Sequence, residues 1–572
     1  MSRRAATVFA GLGLLLTPGS AWAHAQLEGT VPARGAALKA APAQVEFRFS
    51  ETVQAGVGAV RVFDGHGKEV QQGEATHPGG EGSVVAVKVP RDLPDGGYTA
   101  TYRVISADSH PVSGGFSFTV GTGGAGPQSV DTLLAGTASG AVTATAMGAA
   151  RAVEYAAIAV ALGIALFVLL CWRPALHELT GGDAAGGGGV PWRDASAAFA
   201  ARLRGIVLLV AVAGAVASVL GVLLEGAIAR GTSLWSALGS DVVREILGTR
   251  FGTVWGLAVL AWLLVATASR TRKPILVAVP LAFLCALPAL GGHAGVEHPV
   301  WLFLPANLVH VLSVSAWIGG LAVLTFALRA ATGALDPADR SRLLAATVGR
   351  FSAMAGVAVA AILATGIIQS LIEIDAWSEL LHTAYGRAVL IKLGLFAVLL
   401  AFGAVNRLRV LPRLRGAAAA AQSPGAVGTL LRRTVRTELL VGVAVLGVTG
   451  ALATYAPGKV AETGPVTADA VIGPARMQLT VDPARPGVNE IHAYFFDRKT
   501  GAQWTAAKEL TVTASLPARG IADLPVAMNH AGPGHYVAQQ TALPATGNWR
   551  VKVAARVSDF DEYQATVTVR IR

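Results

Sequence analysis

Apolar and polar residues alternate in two stretches of the chain, and a long apolar region lies between them. From residue 24 to 120 the alternation has a period of two, clearest in Val45-Glu46-Phe47-Arg48-Phe49. Period two marks half-buried strands, and the Gly, Pro and Asp residues that interrupt it mark turns. Strands are expected over 45–50, 57–63, 84–89, 98–105 and 116–120, which predicts a small all-β sandwich or barrel. Residues 474–572 repeat the pattern, at 477–481, 490–496, 510–514, 536–540, 549–555 and 565–571. An immunoglobulin-like β-sandwich is the expected form there.

Eight apolar runs lie between, at about 152–172, 204–227, 251–269, 274–292, 302–328, 351–372, 388–408 and 437–456. Each is long enough for a helix to cross a hydrocarbon core of about 30 Å at about 1.5 Å per residue. The expected architecture is a mixed membrane protein, with an eight-helix domain over 151–457 flanked by two β domains. Residues 121–150, rich in Gly, Ala, Ser and Thr, read as a linker, and 231–250 as an amphipathic helix on the outer surface.

Composition agrees with that pattern. Of 572 residues 53% are hydrophobic and 14% charged, too few charges to cover a soluble chain of this length. The net charge of +11 is a topology signal and not a nucleic-acid footprint. Loops expected inside carry most of the basic residues, from Arg173 and Arg193 through Arg270 and Arg329 to Arg432, Arg433 and Arg436. Between helices the outer loops carry Arg230, Arg244, Arg250 and Arg387. The positive-inside rule then places both β domains on the extracytoplasmic side of the cytoplasmic membrane, with lipid around the helices. Cys171 and Cys285 both lie in apolar runs, so no disulfide framework is expected in the exported domains. No nucleotide-phosphate loop is present, so direct ATP hydrolysis is not expected to drive any transport.

The candidate chemistry begins at a processing site. Residues 1–23 have the build of a secretory signal: Arg3 and Arg4, an apolar run from Ala5 to Leu16, then Ala21-Trp22-Ala23 as a small-residue cut. Cleavage there makes His24 the first residue, with a free α-amine and an imidazole that can chelate one ion. Asp108 and His110 add a carboxylate and a second imidazole. Nitrogen and oxygen donors in this combination suit a tetragonal Cu(II) ion.

Residues 24–120 resemble the CopC copper-binding domain. The pieces that match are His24 at the cut, Thr30-Val31-Pro32-Ala33-Arg34-Gly35, Phe49-Ser50-Glu51 and Asp108-Ser109-His110-Pro111-Val112-Ser113-Gly114. The resemblance implies Cu(II) ligation by His24, Asp108 and His110, with Glu51 as a carboxylate near the site. Some relatives also carry a methionine-rich Cu(I) loop; here no methionine falls between His24 and Val120. The helical region resembles CopD, the copper-resistance membrane protein. It does so through His310-Val311-Leu312-Ser313-Val314-Ser315-Ala316-Trp317-Ile318-Gly319-Gly320-Leu321, Thr383-Ala384-Tyr385-Gly386-Arg387, Lys392, Asn406-Arg407-Leu408 and Glu438.

Polar groups inside a bilayer are costly and are functional candidates by default, which singles out Glu154, His310, Lys392 and Asn406. A copper path is expected to draw on His293, His298, His310, Met354 and His382, with Cys171 and Cys285 as soft donors. Lys392 and Glu438 are expected to pair across helices or to snorkel. In the tail, Met528, His530 and His535 form a second candidate metal set. The resulting expectation is a non-enzymatic copper-homeostasis protein. It captures Cu(II) outside and passes it to the membrane domain for import, with exported copper chaperones as possible donors. Two other readings stand beside it: a chaperone or sensor tethered by its helices without transport, and a copper-dependent oxidative enzyme.

Overall fold

The computed structural model describes residues 25, 27–56, 59–106, 111–121, 124–128, 130–135, 140–181, 189–233, 235, 240–270, 275–292, 299–333, 335–374, 377–455, 465–482 and 484–571. The first 24 residues, with the expected signal and His24, lie outside that description.

Eight strands follow: β1 (Leu27–Val31), β2 (Ala37–Leu38), β3 (Gln44–Phe49), β4 (Val60–Phe63), β5 (Gln72–Thr76), β6 (Val84–Lys88), β7 (Gly96–Ile105) and β8 (Pro111–Val120). They form two four-stranded sheets, β1-β3-β6-β5 and β2-β8-β7-β4, as expected of a sandwich. Val45, Phe47 and Phe49 of β3 face inward while Glu46 and Arg48 face out. Phe47 packs its ring 5.0 Å from that of Tyr102 and 5.3 Å from that of Phe116.

The helical region holds seven helices long and apolar enough to cross a membrane, among the described residues. They are α1 (Gly140–Thr180), α2 (Gly189–Arg230), α3 (Arg250–Ala268), α5 (Val300–Phe326), α6 (Pro337–Glu373), α7 (Ala384–Ala419) and α8 (Gly425–Leu452). Between α3 and α5 lies a shorter apolar helix, α4 (Val277–Leu290), at the fourth expected position. Pro280 and Pro288 sit inside it. The stretch read as a linker already contains the start of α1, because alanine favours helix even where the composition is otherwise loop-like. The amphipathic segment is helical over Ser240–Leu247, shorter than expected.

Nine strands make the last domain: β9 (Val466–Ile472), β10 (Ala475–Asp482), β11 (Gly487–Asp497), β12 (Glu509–Leu516), β13 (Ile521–Val526), β14 (Asn529–Gly532), β15 (His535–Leu543), β16 (Gly547–Arg556) and β17 (Glu562–Ile571). Sheets β14-β15-β11-β10-β9 and β13-β12-β16-β17 enclose a core around Phe495 and Trp549. The fold begins at β9 and not at residue 474. Val466-Thr-Ala-Asp-Ala-Val-Ile is weakly patterned and gains its place by pairing along the whole of β10.

The two β domains touch. Arg34 of the first forms an ion pair with Asp482 of the last, and Ala125 bridges to Ala502.

Candidate functional site

Asp108 and His110, like His24, lie outside the described residues, but the segments that lead to them converge. Leu27 is paired with Phe49, two residues before Glu51. Gln54 exchanges both backbone hydrogen bonds with Ile105, at 2.8 and 2.9 Å. Ile105 in turn faces Pro111 across the β7–β8 ladder. Leu27, Phe49, Gln54, Ile105 and Pro111 therefore lie together at one edge of the sandwich. Glu51 is half-buried there.

A cavity of about 200 Å³ opens among the helices at the end of the bundle that carries both β domains. Its wall includes Arg151 and Tyr155 of α1, Asn307 and His310 of α5, Gln369 of α6 and Lys392 of α7. His310 Nδ1 lies 2.9 Å from Thr365 Oγ1. That hydroxyl has one hydrogen, which it donates to the Ala361 carbonyl at 2.7 Å. The contact to the ring must then run from Nδ1–H to the hydroxyl oxygen, which leaves the lone pair on Nε2. A ligating histidine is commonly set up in this way, with the far nitrogen held by a neighbour. Among the described residues Nε2 has no hydrogen-bond partner.

The surrounding polar groups are tied to one another. Tyr385 donates its hydroxyl to Glu373, and Arg151 reaches Glu225 at 3.8 Å as well as the Ala453 carbonyl. One helical turn from Arg151, Glu154 accepts from Trp262 Nε1 at 2.8 Å and from Ser218 at 3.0 Å. Sequence reasoning passed over Arg151, Glu225 and Gln369, and quoted Tyr385 only within a family motif. Each is polar within an apolar helix, and that signal could have found them.

Among the described residues, the other expected path residues are not gathered at this cavity. Met354 lies eleven residues before Thr365 on α6, about 16 Å along the axis, and packs against the bundle core. Cys171 and Cys285 are buried in two different apolar clusters. Lys392 and Glu438 line separate cavities, and Glu438 accepts instead from Asn406 Nδ2 at 2.7 Å. His293 and His298 lie outside the described residues, as does the side chain of His382.

In the last domain the expected Met-His-His set is divided. Met528 packs against the apolar core, and His530 is exposed with its ring edge-on to Tyr536 at 5.2 Å. His535 points to the opposite face of its strand, because neighbouring strand residues alternate. There it is 2% exposed and meets His492, a residue sequence reasoning did not select.

Comparison with known proteins covers most of the chain. The CopC domain model matches residues 27–121. The model described as Copper resistance protein D-like, N-terminal domain, matches 138–302, and Copper resistance protein D matches 345–452. Copper transport protein CutJ of Bacillus subtilis is 28% identical over 97% of this chain and 97% of its own length. Copper resistance protein D of Pseudomonas syringae is 27% identical over 54% of this chain and 96% of itself. Copper resistance protein C of Escherichia coli is 32% identical over 18% of this chain and 84% of itself. The crystal structure of CopC from Methylosinus trichosporium OB3b matches 18% of this chain and 97% of itself, at 27% identity and a TM-score of 0.16.

Proposed function

Since this chain belongs to the copper-resistance family that joins a CopC domain and a CopD domain in one polypeptide, we propose that it imports copper across the cytoplasmic membrane. The first β domain captures Cu(II) through the amine and ring of His24, with Asp108 and His110 completing the plane and Glu51 beside it. Copper then enters the bundle at the cavity below, where the Nε2 lone pair of His310 receives it. Both β domains stand on the extracytoplasmic side. The observation that carries this reading is His310, hydrogen-bonded to Thr365 on the wall of a cavity at the end of the bundle that carries the β domains. The relatives named for copper transport and copper resistance support the choice of cargo.

The test is copper accumulation in cells that express the full chain. One variant carries an alanine inserted before His24, which removes the terminal amine from the site. A second carries His310→Ala. Both should reach the cell surface and lose most of the uptake, and only the first should lose the tetragonal Cu(II) spectrum. Wild-type accumulation in both would sink the handover. Binding without accumulation in the unaltered protein would leave the tethered chaperone as the better reading.

A further inference from the structure

We propose that the last β domain holds a second metal site, a two-histidine centre for Cu(I) formed by His492 and His535 at its contact with the first β domain. The two rings are 5% and 2% exposed, on the paired strands β11 and β15. His492 Nδ1 and His535 Nε2 are 3.1 Å apart. The ring planes differ by 12° and the centroids are 5.4 Å apart, which is the nitrogen separation plus the two ring radii. The imidazoles therefore meet head to head, nearly coplanar, with the two facing nitrogens on the line between the rings. A proton now occupies that line. A two-coordinate ion takes the same line, and imidazole is a good copper ligand.

The surroundings are those of a prepared ligand pair. Glu490 Oε1 lies 3.6 Å from His492 Nε2. A carboxylate on the far nitrogen fixes the tautomer that leaves Nδ1 its lone pair, and it raises ligand basicity. His535 then donates from Nε2, and its buried Nδ1 has no partner. When an ion takes the place of that proton, the proton moves to Nδ1 and both rings remain neutral. Tyr494 stacks on His535 at 4.2 Å and keeps the ring in this plane.

The first domain supplies room and charge. Gly35, at φ +68°, presents its bare backbone to the pair; a Cβ there would sit 2.7 Å from His492 Nδ1 and 2.8 Å from His535 Cε1. Metal–nitrogen bonds of about 2.0 Å in a line need about 4 Å between the nitrogens. The rings must part by somewhat under an ångström, and only a residue without a Cβ lets the backbone lie this close beside the pair. A cavity of about 50 Å³ adjoins, lined by Gly35, Ser117, Asp482, His492 and Tyr494. Arg34 and Asp482 neutralise each other, so Glu490 is left to balance a single positive charge. That favours Cu(I) over a divalent ion.

Copper as the ion rests on the copper reading above, while the site rests on its own geometry. The experiment is an equilibrium titration of the purified full chain with Cu(I), in detergent and against a chromophoric Cu(I) chelator. His24→Ala is present throughout to silence the terminal site. His492→Gln and His535→Gln should each hold one equivalent fewer, and His530→Gln the full number. Glu490→Gln keeps both rings and should bind the full number about tenfold more weakly. X-ray absorption should show two nitrogen neighbours for the equivalent that is lost. Full stoichiometry in either histidine variant, wild-type affinity in Glu490→Gln, or a higher-coordinate spectrum overturns the proposal. Because the readout is binding and not uptake, a chain that fails to accumulate copper would still reveal this site.

Discussion

At the residue scale, the Thr365 hydroxyl decides what His310 can do. Its one hydrogen is committed to the Ala361 carbonyl, so the histidine donates from Nδ1 and keeps Nε2 free to accept. Thr365→Val removes the acceptor at nearly constant volume and lets the ring turn and change tautomer. Loss of such a supporting group typically costs about 10–100-fold in metal affinity. Copper uptake at low copper should fall by about tenfold in Thr365→Val and recover in Thr365→Ser. Equal uptake in all three would mean that the tautomer is irrelevant. His310 was legible in the sequence as a polar residue in an apolar run. Thr365 was not, because a threonine facing a helix backbone looks the same in sequence as one facing a ligand.

At the element scale, the quoted family motifs are largely helix architecture. Thr383 caps α7, accepting from the Gly386 amide at 2.9 Å, and Tyr385 reaches back from the first turn to Glu373. Gly319 lies in a π-helical segment, Ser315–Gly319, pressed against Gly163 of α1. A Cβ on Gly163 would sit 2.3 Å from the Ser315 carbonyl oxygen, and one on Gly319 would sit 2.3 Å from that of Ala159. Both obstacles are backbone, so the helices themselves must move apart. Gly163→Ala should therefore destabilise the bundle by about 1–3 kcal/mol, read as a lower melting temperature in detergent. An unchanged melt would mean that the contact is slack. In the sequence Gly319 stands out as part of a family motif; its contact with Gly163 emerges from the crossing of α1 and α5.

At the scale of the whole molecule, the contact between the β domains fixes the parity of the crossings. Arg34 can reach Asp482 only if both domains stand on one side of the membrane. With seven crossings they would stand on opposite sides; a crossing by α4 gives the even count. With two further helical residues before Val277, the 16 residues Ile275–Leu290 rise about 24 Å, a few ångströms short of the hydrocarbon core. Local thinning of the bilayer absorbs such a mismatch at modest cost. Cysteines placed singly at Ser423, between α7 and α8, and at Ser558, in the last domain, should label from opposite sides. A membrane-impermeant maleimide added to intact spheroplasts should reach only the second. Labelling of both, or of Ser423 alone, would overturn the topology.

The sequence by itself determined the order of the described parts: a β domain, an apolar bundle and a second β domain. Each follows from a local period, two for strands and an unbroken run for membrane helices, and a local period needs no knowledge of what packs against it. It also singled out His310, His530 and His535 as polar residues of chemical interest. Only the tertiary structure decided their company. His310 sits with Thr365, fifty-five residues away. His535 sits with His492, forty-three residues away, and not with the adjacent Met528 and His530. The reason is geometric: strand neighbours alternate between faces, and the ring that meets His535 is carried there by the pairing of β11 with β15.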